Sequence, residues 1–95
     1  MTKNIDNSKT PAYLGEIKLG FLTPLKVGEK EIMEIKLREP KVNDLKAVTH
    51  LRDDLEQTTT LIANLGGFTP DEIGEFPTHI YFRLSEMVKP FLRIA

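Results

Sequence analysis

Residues 25–45 read LKVGEKEIMEIKLREPKVNDL, and the hydrophobic period changes inside this stretch. Before Pro40, the apolar residues Met33, Ile35 and Leu37 alternate with Glu34, Lys36 and Arg38, the period of two that a strand with one buried face requires. After Pro40 the apolar positions fall three to four residues apart, as on a helix lying against a core. Pro40 separates the two regimes because it has no N–H to give to a strand ladder. Upstream, Ile17, Leu19, Phe21, Leu25 and Val27 also alternate, with Thr23 in the one gap. Gly28-Glu29-Lys30 then supplies a turn, so residues of about 16–38 are predicted to form a β-hairpin with a loop of about three to four residues. Gly20 and Pro24 weaken the first strand, and Pro24 predicts an edge position or a bulge. Apart from Met1, residues 1–12 hold one bulky apolar residue, Ile5, and are predicted to be a flexible arm, or one that orders on a partner.

Downstream, Asp44 or Asn43 is predicted to cap a helix that begins at Leu45. Val48, Leu51, Leu55, Thr58, Ile62 and Leu65 form a helical stripe. It suits one long helix, or two broken near Asp53, where Asp53-Asp54-Leu55-Glu56 offers a capping box; the break is the preferred reading. Gly66-Gly67 is a stop, because glycine enters a left-handed C-cap freely. Phe68-Thr69-Pro70-Asp71-Glu72-Ile73 gives the sharpest local signal: Thr69 as N-cap, Pro70 at the first helical position, Glu72 completing the box, and Phe68 with Ile73 as a hydrophobic staple. A last helix is predicted from Pro77 or Thr78, with Ile80, Leu84, Met87, Val88 and Phe91 on its inner face, Tyr81 at the edge, and Pro90 ending or kinking it. The fold class is therefore α+β: an N-terminal hairpin packed on a small bundle of three to four helices, in one domain over residues 13–95 with helices over about 43–92.

Composition narrows the function. The chain has 95 residues, 40% of them apolar and 28% charged, with a net charge of -1. It has no cysteine, which excludes disulfides, thiolate metal sites and thiol catalysis. No apolar run of membrane-spanning length and no secretory leader is expected, and the near-neutral charge argues against general nucleic-acid binding. His50 and His79 stand far apart in sequence, so no metal site is expected. Asp53, Asp54 and Glu56 read as a helix start rather than a catalytic carboxylate pair. Thr58-Thr59-Thr60 has no base at a telling spacing, and Gly66-Gly67 lacks the Lys-Ser/Thr of a phosphate loop. No enzyme activity, cofactor or metal is expected. Charge is uneven, with seven acidic residues and one basic residue, Arg83, between Asp53 and Glu86. Phe82 lies opposite Ile80, Leu84 and Phe91 on the helical wheel, among Ser85, Glu86 and Lys89. Either the last helix is covered on both sides, or Phe82 packs under the hairpin, or Phe82 is an exposed anchor for another protein. Phe82, Met87, Phe91 and Tyr81 are the candidate partner-binding residues.

The passage Pro24 to Leu45, with Pro24, Leu25, Gly28, Ile35, Leu37, Arg38, Pro40, Asp44 and Leu45, resembles the tail assembly chaperones of contractile-tailed phages, the phage P2 protein E and Mu-like group. The L-R-x-P-x-x-x-D-L run and the later Leu61–Thr69 segment with Gly66 and Thr69, continued by Pro70–Ile73, match in order and spacing over residues of roughly 15–92. One departure is Pro77-Thr78-His79, where such proteins tend to carry an acid; Thr78 is expected to cap the helix instead. The resemblance implies a non-enzymatic chaperone in the host bacterial cytoplasm, not expected in the mature virion. It would bind the tape measure protein and keep it soluble until tube subunits assemble. It further implies a longer product of a -1 frameshift, and Pro90-Phe91-Leu92 is encodable by a slippery run. Its further partners would be that frameshifted form and tail tube subunits, and the hairpin edges make a homo-oligomer a further expectation. Two other readings are a helix-turn-helix DNA-binding module using the helices after Pro40, which the acidic bias opposes, and a structural component of the particle.

Overall fold

The computed structural model describes residues 9 and 11–92. The arm expected over residues 1–12 falls outside these residues except at Lys9, Pro11 and Ala12, which are exposed. Strands β1 (Ile17–Val27) and β2 (Lys30–Leu37) form an antiparallel hairpin, followed by helices α1 (Val42–Lys46), α2 (Asp54–Gly66), α3 (Pro70–Ile73) and α4 (Thr78–Leu92). The α+β expectation of a hairpin followed by a few helices holds. No helix among the described residues is long and apolar enough to cross a membrane.

The hairpin loop is shorter than expected. Val27 pairs with Lys30, which leaves a two-residue loop, Gly28-Glu29. Gly28 supplies the positive φ of 63° that the first position of a tight hairpin turn requires. The hairpin falls into two segments. At its base Ile17 pairs with Leu37 and Leu19 with Ile35; at its tip Leu25 pairs with Ile32. Between Gly20 and Leu25 the first strand takes five steps while the second takes two, from Glu34 to Ile32, so three extra residues bulge out around Pro24. An odd insertion exchanges the inward face. Ile35 and Leu37 are inward at the base, whereas Leu25, Val27 and Ile32 turn to the core at the tip. Met33, expected beside Ile35 and Leu37, is consequently 53% exposed.

The base of the hairpin covers α2. Ile35, Leu37, Leu61, Ile62, Leu84 and Val88 are fully buried, and the Arg38 amide donates to the Leu65 carbonyl at 3.1 Å. Gly66 permits that approach, because a Cβ there would stand 2.9 Å from both Leu37 Cδ2 and the Phe68 ring. Gly67 ends α2 at φ 76°, the stop expected from the glycine pair. The capping box on α3 is formed as expected: the Glu72 amide donates to Thr69 Oγ1 at 3.1 Å and the Thr69 amide to Glu72 Oε1 at 2.9 Å. Phe68 meets the Phe76 ring edge-on at 5.4 Å, and Phe76, which periodicity did not single out, closes this end of the core.

Four local expectations are corrected. The first helix is a single short turn starting at Val42, and Asp44 lies inside it rather than at its cap. Asp53 precedes α2 and marks the expected break, but its side chain makes no capping bond. Pro90 does not end α4, which continues through it to Leu92, the last described residue. Thr78 is the first residue of α4, not its cap, and the Pro77 carbonyl accepts from the Ile80 and Tyr81 amides at 3.1 Å each.

Candidate functional site

The residues of the L-R-x-P-x-x-x-D-L run build a corner between the hairpin and the helices. Arg38, directly after β2, places its guanidinium on Asp44, with Nη1 to Oδ2 and Nη2 to Oδ1 both at 2.8 Å. The same carboxylate accepts the Lys41 amide at 2.7 Å. This fork is the planar two-point match that arginine makes with a carboxylate. The Arg38 guanidinium, then burial in opposition, and then the Lys41 amide set the Asp44 carboxyl, which rests below its ordinary range. Pro40 sits in the link between β2 and α1, where no ladder bond is needed. Leu45 is half-buried one position beyond Asp44, and Pro24 lies in the bulge. These contacts fix the path of the chain from β2 into α1.

At the hairpin tip, the Gly28 amide donates to Glu75 Oε1 at 2.7 Å, and Lys30 Nζ lies 2.7 Å from Glu72 Oε2. Lysine at this distance, with the Thr69 amide, holds the Glu72 carboxyl below its usual range. Glu39 Oε1 accepts the amides of Leu14 at 2.8 Å and Gly15 at 2.7 Å, tying the segment before β1 to the hairpin's far end. His50 and His79 are both exposed, and no group of three metal-ligating side chains is assembled among the described residues.

The apolar surface lies on the other side of α2 and α4. Phe82 is 63% exposed, which removes both core explanations of its place on the wheel. Its ring stands edge-on to Tyr81 at 6.2 Å. Tyr81 is half-buried against the core; its phenol donates to the Leu55 carbonyl at 3.3 Å and lies 2.9 Å from Thr59 Oγ1. Tyr81 thus fastens α4 to α2 while showing one side of its ring outward. Met87 and Phe91 are partly buried against the core, so they support the helix from beneath and do not join Phe82 on the outside.

Leu55, expected on the inner stripe, is 60% exposed. It follows the break at Asp53 and belongs to the first turn of α2, where Tyr81 of α4 reaches its carbonyl while its side chain stays open. Three adjoining surface depressions share Leu55: one toward Phe76 and Tyr81, one toward Leu51 and Pro70, and one toward Phe82 and Ser85. Leu55, Tyr81 and Phe82 therefore form one apolar seam. Leu55 keeps the spacing of the inner stripe, so periodicity alone does not mark it as exposed. A separate depression under the bulge is lined by Phe21, Pro24, His79 and Ile80, beside a fully exposed Leu22.

A hairpin latched to short helices, an arginine–aspartate fork and an open apolar seam make up a small α+β module. The family model for phage tail assembly chaperone proteins, E, or 41 or 14, matches residues 16–93, and the chain belongs to that family. The match begins at the first strand and ends with the last helix. No curated protein and no solved structure matches the chain.

Proposed function

We propose that this protein is a non-enzymatic chaperone that binds the tape measure protein of its phage and keeps it soluble while tail tube subunits assemble. Membership of the tail assembly chaperone family over residues 16–93 carries the reading. The seam of Leu55, Tyr81 and Phe82 supports it, because a protein that shields an aggregation-prone helical chain needs an apolar surface its own core does not use. Its place of action would be the host cytoplasm, and mass spectrometry of purified particles would find it absent from the virion. A longer -1 frameshift product belongs to the same reading. A gene with no slippery heptamer near codons 85–95 would contradict that part. The main test is co-expression with the tape measure protein. The expected result is a soluble complex that co-purifies; a tape measure protein equally insoluble with and without this chain would overturn the reading. Phe82→Asp is expected to abolish binding with the fold retained.

A further inference from the structure

We infer that the seam around Leu55 and Phe82 takes an amphipathic helix whose apolar stripe is flanked by lysines and arginines. The inference rests on the chaperone reading above and names the chemistry of the segment held. The three depressions that meet at Leu55 are bordered by Asp53, Asp54 and Glu56 at the start of α2 and by Glu86 on α4. Among the described residues one base, Lys89, lines the same surface, and it stands 3.7 Å from Glu86. Four carboxylates against one ammonium leave the described lining residues three charges negative. Asp53, Asp54 and Glu56 have no ion-pair partner among the described residues. The centre of the surface is apolar and its rim is acidic, so its complement is an apolar stripe with cations on both flanks.

The same charges decide between occupants. A second copy docked through this face would set the two acidic rims against each other, and an acidic helix would do the same. Nucleic acid is repelled outright. A basic amphipathic helix gains on both counts: its apolar residues cover Leu55 and Phe82, and its cations meet carboxylates that lack partners in the free protein.

Overlapping peptides of about 30 residues, covering the tape measure protein of the same phage, are titrated against the full chain by fluorescence polarisation. Bound peptides are expected to be amphipathic helices of net positive charge, with affinity falling as salt rises. Phe82→Ser and Leu55→Ser each weaken binding about tenfold or more. The charge-neutral variant Asp54→Asn/Glu56→Gln/Glu86→Gln weakens it about tenfold and flattens the salt dependence. Leu22→Ser, on the bulge, changes nothing. Circular dichroism melts establish that each variant is folded. Bound peptides that are neutral or acidic, or a charge-neutral variant that binds as tightly as the wild type, overturn the inference. Retention of the full-length tape measure protein with no bound peptide of this kind overturns it too and leaves the chaperone reading standing. Failure to hold the full-length protein at all overturns both.

Discussion

The two sides of the α2–α4 pair are built from similar residues and meet opposite fates. On the inner side, Leu61, Ile62, Leu84 and Val88 are dry beneath Ile35 and Leu37 of the hairpin. On the outer side, Leu55 and Phe82 are more exposed than buried, though they belong to the same helices. The described residues hold one sheet of two strands, enough to cover one side of a helix pair and not both. What differs is therefore the supply of covering elements rather than the character of the helices. The hairpin side carries stability, and the outer side is the face that the proposed function assigns to a partner.

Substitutions that separate the two sides test this division. The largest effect is expected at the inner side: Leu84→Ala removes a fully buried side chain and should cost about 2–5 kcal/mol, read by chemical denaturation. Gly66→Ala comes next, because the new methyl would stand 2.9 Å from Leu37 Cδ2 and the Phe68 ring, in a packed site. Overpacking there should cost about 1–3 kcal/mol, less a few tenths regained from helix propensity. Asp44→Asn leaves Arg38 without its fork and should cost about 1–2 kcal/mol near neutral pH, the lower part of the range for charged hydrogen bonds because the arginine is half-exposed. The folded carboxyl titrates below its ordinary value, so its contribution is complete above the ordinary aspartate range, about pH 4. It is lost as pH falls through the depressed folded value. The melting-temperature gap between wild type and Asp44→Asn should therefore close as the solution is acidified below about pH 4. The smallest effect on stability is expected at the outer side, where Leu55→Ser with Phe82→Ser should change unfolding free energy by about 0.5 kcal/mol or less per site. A large loss there would mean that the outer residues belong to the core.

The same contrast explains what the sequence discloses. The hairpin, the break before Asp53, the glycine stop and the Thr69 box follow from local chemistry: alternation, a donor-less proline, a left-handed glycine and a reciprocal cap. Phe82 stands out because the wheel puts it off the apolar face. Leu55 does not, because it keeps the three-to-four spacing of the inner stripe, and periodicity cannot reveal where the covering hairpin stops. Met33 is misplaced for a related reason. Its inward or outward aspect depends on the parity of a bulge in the other strand, which Pro24 announces without giving its length. The Arg38–Asp44 fork is a contact six residues apart around a corner that no periodic pattern encodes.

The central claim is that the outer seam holds the tail partner while the inner side holds the fold. It is tested most directly by co-expressing the tape measure protein with the Leu55→Ser/Phe82→Ser variant and assaying both proteins in the soluble fraction. The account predicts a variant that is soluble and melts like the wild type, with the tape measure protein in the pellet. A tape measure protein that stays soluble beside that variant would contradict it.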